Sequence, residues 1–386
     1  MLHVKRLKPK QELVEIDRRI FFTKTETRGA RPKFWIVGEQ SKGGYYSYPY
    51  QNLLLKFNRN NLSQEHFGEV LYYAISKEAG ARCVEYQLAE YTDEYGNVME
   101  GVACPSYKTR DSEYDLSAYD LMRYTHDLST LEDSAFPINT IDSYLDAIPV
   151  CSNIKRDEPL LQFVERDLTT MAIMDYLTGQ TDRHWGNISF LFTSHNAFID
   201  KTEAIKTASA YDNGCCFSLK RKNQALETLA GMLNSAKKDK DPEVYEQKVA
   251  DICKKLKPML GVKTPMVRIA DKLNPNDDPN FPKKVTHIEN KEDWEETFLD
   301  EICEKVHSNK WVKRFTENLE HFNYGNVLKT IESQDDDIPK HVLDLSKHIF
   351  EHRYETFFSH LEKYSSKAHG DDSQPKTIKE NEGMEM

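Results

Sequence analysis

The sequence predicts an α+β fold in two unequal parts: a small, antiparallel, β-rich part with one helix, then a larger and mainly helical part. Three observations carry this. Short apolar runs broken by turn residues fill residues 34–107, with a single helical stretch among them. From residue 158 onward helical spacing dominates. The length, 386 residues, is ample for a sizeable core and fits two to three domains or lobes at about 150 residues each.

The elements follow in order. Phe34-Trp35-Ile36-Val37 is an apolar run ending at Gly38. Leu53-Leu54-Leu55-Lys56-Phe57 is a second, and the Gly-containing stretch between them makes a strand–loop–strand unit. Residues 63–79 form a helix, with Phe67, Leu71 and Ala74 at helical spacing and Gly80 as its stop. Strands over residues 83–91 and 98–107 follow, joined at Asp93-Glu94-Tyr95-Gly96-Asn97. The order is β-β-α-β-β. Residues 116–126 then read as helix, and a polar loop runs through Pro137 and Pro149. Residues 158–177 are a strong helix, with Leu161, Val164, Leu168 and Met171 on one stripe. An apolar strand spans residues 188–192, with further strands expected at 196–199 and 208–211. Residues 218–263 are Lys-rich. Amphipathic helix fills residues 294–364, on positions such as Phe298, Ile302, Val306, Ile349, Phe357, Phe358 and Leu361. The division is 1–107, 108–365 and a polar tail, 366–386, expected to be disordered.

Composition removes several classes. With 52 Lys+Arg against 63 Asp+Glu, the net charge is −11. This weighs against sequence-independent nucleic-acid binding and against an anionic bilayer. Seven cysteines with no C-x-x-C pair disfavour a zinc site and a closed disulfide framework. The N-terminal residues are charged throughout and no run approaches about 18 apolar residues. A cytoplasmic protein with reduced thiols and no integral membrane association is expected.

Two segments carry chemistry. The first is Thr181-Asp182-Arg183-His184-Trp185-Gly186-Asn187, between a helix and a strand; the second is Tyr211-Asp212-Asn213-Gly214, at a strand end. Phosphoryl transfer asks for a carboxylate to take the hydroxyl proton and for oxygen ligands that hold Mg²⁺ on the phosphates. Asp182 suits the first role; Asn187 and Asp212 suit the second. A lone D-R-H is usually a surface ion pair and a lone D-x-G a turn, but both in this order behind a β-β-α-β-β unit are not. Lys56, at a strand end, offers an ammonium to phosphate oxygens. Glu69, early on the next helix, is spaced to pair with it, and Glu65 competes for that place. Gly38 to Gly44 is a candidate phosphate-covering loop, though not a G-x-G-x-x-G.

These pieces resemble the HipA-like kinases. Val37-Gly38-Glu39-Gln40-Ser41-Lys42 resembles the G-x-Q-x-K loop, Leu54-Leu55-Lys56-Phe57 the phosphate-lysine strand, and Glu69 to Gly80 the helix that follows. Thr181-Asp182-Arg183-His184, ending at Asn187, resembles the T-D-R-H-x-x-N catalytic loop, the most specific of the set; Tyr211-Asp212 resembles the Y-D metal element. The resemblance covers about residues 30–360. It implies a bilobal protein-kinase-like fold and a serine/threonine protein kinase using ATP and Mg²⁺, with autophosphorylation. Asp182 is then the base, with His184 near the γ-phosphate or orienting Asp182. Asn187 and Asp212 are metal ligands. Gly38, Gln40, Ser41, Lys42, Lys56 and Glu69 form the phosphate side, and Cys104, Ser106 and Tyr107 the adenine hinge. Arg183 is structural. The family's bacterial toxins carry an extra N-terminal subdomain that is not seen here. This puts an antitoxin or operator-DNA role in doubt and resembles the stand-alone members, some delivered to host cells.

Other functions stay open. D-R-H-x-x-N-I also occurs in phosphoinositide kinases, and Lys220, Arg221, Lys222, Lys237, Lys238 and Lys240 offer a basic face to a lipid. A catalytically weak pseudokinase or binding module is a third reading, opposed by the joint presence of Lys56, Asp182, Asn187 and Asp212. The expected partner is a protein bearing Ser or Thr. Residues 215–263, after Asp212, are expected to act as the activation or substrate-binding region, and Ser218, Ser41 and Thr109 are candidate autophosphorylation sites.

Overall fold

In the computed structural model the described residues are 2–4, 14–15, 33–36, 53–58, 63–92, 95–107, 114–125, 140–152, 154–155, 158–192, 205–238, 242–258, 260, 294–333 and 338–370. The β-β-α-β-β order is present as β3 (Lys33–Ile36), β4 (Leu53–Phe57), α1 (Glu65–Ala79), β5 (Gln87–Thr92) and β6 (Val98–Pro105). Two short strands precede them, β1 (Leu2–Val4) and β2 (Val14–Glu15), which the charged N-terminal sequence does not announce. All six form one antiparallel sheet in the order β2-β1-β5-β6-β4-β3.

Register places the sheet's lysine. Lys56 lies opposite Lys33 on β3 and opposite Val102 on β6. Gly101 lets β6 close on β4 at this point, because a Cβ there would stand 2.1 Å from the Lys56 carbonyl oxygen. Behind the sheet, α1 is buried along nearly its whole length and ends on Gly80, at φ +75°. A left-handed residue is the usual helix stop, and glycine adopts it without steric cost.

A second sheet, three antiparallel strands, carries the loop motifs: β7 (Tyr114–Ser117), β8 (Ser189–Phe192) and β9 (Ile205–Thr207), with β8 central. This corrects the expected helix over residues 116–126, since residues 114–117 pair with β8 before α2 (Ala118–Thr125) begins. The third strand is β9, earlier than expected. Ala210 makes only a parallel bridge to Cys83, which itself stands ahead of β5. The strand expected over residues 196–199 lies outside the described residues.

The remainder is helical: α3 (Ile141–Cys151), α4 (Pro159–Thr178), α5 (Asn223–Lys238), α6 (Pro242–Cys253), α7 (Trp294–Ser308), α8 (Lys310–Leu319), α9 (Tyr324–Glu332) and α10 (Lys340–Gly370). α3 corrects the expected loop through Pro149. Ile141, Tyr144, Leu145 and Ile148 are all buried at helical spacing, and Thr140 caps the start by accepting from the Ser143 amide. Pro149 falls so near the end that its missing N–H costs only one late bond. α4 starts with Pro159 at its first position and ends on Gly179, at φ +62°. It is buried from Asp167 to Thr178, so it serves as a central helix and not a surface one.

The Lys-rich stretch is also helix. α5 and α6 pack on α10, and Lys237 pairs with Glu351 on α10 at 3.5 Å. α10 runs to Gly370, past the expected end of the folded part at residue 365. Its buried Arg353 donates to the carbonyls of Tyr176, Cys253 and Leu256, tying the ends of α4 and α6 to α10. One continuous buried cluster runs from α1 and the sheet through α3 and α4 to α10.

Candidate active site

The sheet, α1 and the loop of Asp212 meet at Lys56. Its ammonium donates to Glu69 Oε1 at 2.5 Å and to Asp212 Oδ1 at 2.8 Å. The lysine side chain is 3% exposed, Glu69 0% and Asp212 22%. A buried charge is retained only when paired and hydrogen-bonded, and this lysine has two carboxylates. Glu69 uses its other oxygen to accept from the Asn213 amide at 2.6 Å, so one side chain on α1 fixes both the lysine and the backbone beside Asp212. Glu65, the competing partner, instead accepts from Ser63 Oγ at 3.2 Å and from the Cys215 thiol at 3.8 Å.

Asp212 sits at φ 56°, in the left-handed region that Asp tolerates better than most residues. Its amide donates to the Tyr86 hydroxyl at 3.0 Å, and its carbonyl accepts from Gln180 Nε2 at 3.1 Å. The same Gln180 amide accepts, through Oε1, from the Asp182 amide at 3.1 Å. One buried glutamine thus clamps the two loops together. Asn187 donates Nδ2 to the Asp182 carbonyl at 2.7 Å. That bond fixes the amide orientation and leaves Oδ1 as the atom suited to a cation. The Asp182 carboxylate accepts from the Cys215 thiol at 3.5 Å.

Arg183 is 0% exposed and lies beneath both loops. It forks onto Asp175 of α4, with both bonds at 3.0 Å, and donates to the Tyr211 carbonyl at 2.5 Å and to Asn213 Oδ1. Tyr72 of α1 donates to the same Asp175 at 2.9 Å. Burial works to lower the pKa of Arg183, and the Asp175 carboxylate more than offsets it, so the guanidinium is held well above its ordinary value. His184 uses Nδ1 to accept from the Gly186 amide at 3.0 Å and caps the short turn Trp185–Asn187. Asp182 is thus oriented through its backbone, by Gln180 and Asn187, and not by His184.

The residues expected at the hinge divide. Cys104 is buried at the end of β6, opposite Leu54. Tyr107 stacks on Tyr211 with ring centroids 4.7 Å apart and donates to the Asp115 carboxylate. Ser106, between them, is half-buried. Gly38, Gln40, Ser41 and Lys42 lie outside the described residues, as does Thr109. Ser218 is 7% exposed within the turn Cys216–Ser218, so its hydroxyl is not presented as a surface phosphorylation site.

Burial pushes the Cys104 thiol up to about 12, with Lys56 acting against it and Glu69 with it. Thiolate is the reactive form. In folded protein at pH 8, iodoacetamide is therefore expected to leave Cys104 unmodified and to alkylate it only after denaturation, as read by peptide mass spectrometry. Rapid native labelling at Cys104 would contradict this burial.

Sequence reasoning missed three contributors. Gln180 and Asp175 sit among ordinary helix-end residues, and nothing local marks them. Lys33, whose Nζ stands 3.9 Å from Asp212 Oδ2, is visible only through register, as the residue opposite Lys56. Among the described residues no group of three or more His, Cys, Asp or Glu is arranged to hold a metal. The donors at hand are one carboxylate and one amide oxygen, a hard and short set that suits Mg²⁺ completed by phosphate and water and does not suit zinc.

No protein-family model and no curated protein matches the sequence. The fold does match solved structures. The crystal structure of a Helicobacter pylori proinflammatory kinase, CtkA, is similar with a TM-score of 0.57 at 14% identity, over 90% of this chain and 97% of that one. The Shewanella oneidensis MR-1 HipA, in complex with HipB and operator DNA, is similar with a TM-score of 0.44 at 11% identity, over 95% of this chain and 74% of that one. The fold of this chain is kinase-like, and the likeness at such identities is one of fold.

Proposed function

We propose that the protein is a Mg²⁺- and ATP-dependent serine/threonine protein kinase. The sheet with α1 forms one lobe, the helices form a second, and the nucleotide lies between them. The observation that supports this most is the junction at Lys56, where a strand lysine, a helix glutamate and a loop aspartate converge. Gln180 joins that aspartate's loop to the loop of Asp182. A kinase needs this set: positioning and charge stabilisation supply most of phosphoryl-transfer catalysis.

In this reading Lys56, braced by Glu69, binds phosphate oxygens. Asp212 and Asn187 Oδ1 would hold Mg²⁺, which when bound would offset the negative charge of the phosphates. Asp182 accepts the proton of the attacking hydroxyl. Arg183 keeps both loops in register from below. All seven cysteines are free thiols, which fits action in a reducing compartment such as the cytoplasm, including that of a host cell. No helix among the described residues is long and apolar enough to cross a membrane. Autophosphorylation on an exposed hydroxyl accompanies transfer to protein.

The nature of the acceptor is the point to test. Purified protein with γ-labelled ATP and Mg²⁺ is offered a generic protein substrate and, separately, vesicles containing phosphatidylinositol. Label on protein Ser or Thr, with none on lipid, is the expected result. Label on the lipid alone would make the enzyme a phosphoinositide kinase and overturn the protein-kinase reading.

A further inference from the structure

We propose that Lys220-Arg221-Lys222 forms an acceptor-docking surface that selects protein segments with Asp or Glu close to the hydroxyl; this rests on the protein-kinase reading above. All three residues are exposed, and no acidic residue lies between Asp212 and Glu227. In a chain of net charge −11 this is a local reversal of sign. The run is also fixed in place. Phe217 and Ser218, just before it, adopt φ 51° and 63°, a left-handed backbone that persists only where its surroundings hold it. Phe217 and Leu219 are fully buried, and the Leu219 carbonyl accepts from the Gln64 amide at 3.0 Å. Lys222 makes an antiparallel bridge to Ser63. Both anchors lie at the start of α1.

The same stretch of chain reaches the base. Cys215 contacts the Asp182 carboxylate at 3.5 Å and Glu65 of α1 at 3.8 Å. Lys220 follows Cys215 by five residues, so their backbones stand at most about 18 Å apart. An extended peptide whose hydroxyl meets Asp182 covers that distance in about five residues of its own. Carboxylates at those positions come within reach of the three cations. Opposite charge steers such a segment toward the base, whereas a basic segment is repelled. A bilayer is the weaker fit. Lys237 and Lys238 close the far end of α5, about 22 Å along the helix from Asn223, and Lys237 pairs with Glu351. Three cations alone hold a chain on an anionic membrane only weakly, and the net charge opposes it.

The test uses serine peptides with Glu within five residues of the acceptor, and matched peptides with Gln or Lys there. Wild type is compared with a variant combining Lys220→Glu, Arg221→Glu and Lys222→Glu. In wild type kcat/KM is expected to favour the Glu peptide over the Gln peptide by about tenfold. That preference should fade from about 0.1 to 1 M salt, as the screening length falls from about 10 to 3 Å. The combined variant should lose it or favour the Lys peptide, with Mg·ATP affinity as the check on its fold. Arg221→Gln alone, expected to cut the preference about two- to threefold, gives the same reading should the combined variant not fold. Equal kcat/KM for the Glu and Gln peptides in wild type, or a preference that the variants keep, would overturn the docking surface and leave the kinase reading standing. Phosphatidylserine vesicles that retain wild type but not the combined variant would assign the run to a membrane instead. A wild type that labels none of the peptides overturns the protein-kinase reading together with this one.

Discussion

Asp182→Ala is expected to lower the single-turnover rate of phosphoryl transfer by about 10²- to 10⁴-fold, the usual contribution of a positioned general base, while leaving Mg·ATP affinity near that of wild type. The separation follows from the geometry. The Asp182 carboxylate is contacted by the Cys215 thiol and stands outside the cluster of Lys56, Glu69 and Asp212. The loop that carries it is held by backbone contacts to Gln180 and Asn187, which alanine retains. Rapid-quench transfer from labelled ATP to a protein acceptor, with nucleotide binding measured in parallel, checks both halves. A loss of only a few-fold would remove Asp182 from the role of base.

The second large effect is on stability. Asp175→Ala should lower the free energy of unfolding by about 3–5 kcal/mol, because it strips the partner from a fully buried arginine. Arg183 would keep its bonds to the Tyr211 carbonyl and Asn213 but lose the two-pronged ion pair with Asp175. Tyr72 would lose its acceptor as well. Tyr72→Phe removes only one hydrogen bond from the same group and is expected to cost about 1 kcal/mol. Urea unfolding of the two variants gives the comparison. A loss under about 1 kcal/mol for Asp175→Ala would mean that the Arg183–Asp175 pair is not what holds the two loops.

The parts legible in the sequence were those with a local signature. Phe67 and Leu71 mark α1 by their spacing, Gly80 ends it, and the pair Lys56–Glu69 follows from a strand and helix of ordinary length. The Asp182 to Asn187 loop is written as a contiguous motif. What escaped depends on neighbours distant in the chain. Leu116 continues an apolar helical pattern, yet it pairs as strand because β8 offers an edge to residues 114–117. Pro149 reads as a loop breaker, yet burial of Ile141, Tyr144, Leu145 and Ile148 outweighs one missing hydrogen bond. β1 and β2 have almost no sequence signal, since β1 pairs only because the β5 edge is present and β2 pairs on β1.

The site divides in the same way. Asp182, Asn187 and Asp212 are recognisable by residue type and order. Gln180, which joins their loops, is marked by nothing but its place in space. His184 looks like the group that orients Asp182 because it stands next to it in the motif, but its Nδ1 caps a turn. Ser218 follows the metal motif closely enough to suggest a modification site, and packing instead buries it. Hydroxyls and imidazoles acquire their roles from exposure and partners, neither of which is local.

The proposed Mg·ATP site is the junction of Lys56, Glu69 and Asp212, with Asn187 on the loop that Gln180 ties to it. Isothermal titration of the wild-type chain with ATP, in Mg²⁺ and then in EDTA, tests it most directly when repeated on Asp212→Asn. Binding in Mg²⁺ is expected to weaken by about tenfold or more both on chelation and in the variant. ATP bound equally well in all of these conditions, or bound in none, would contradict it.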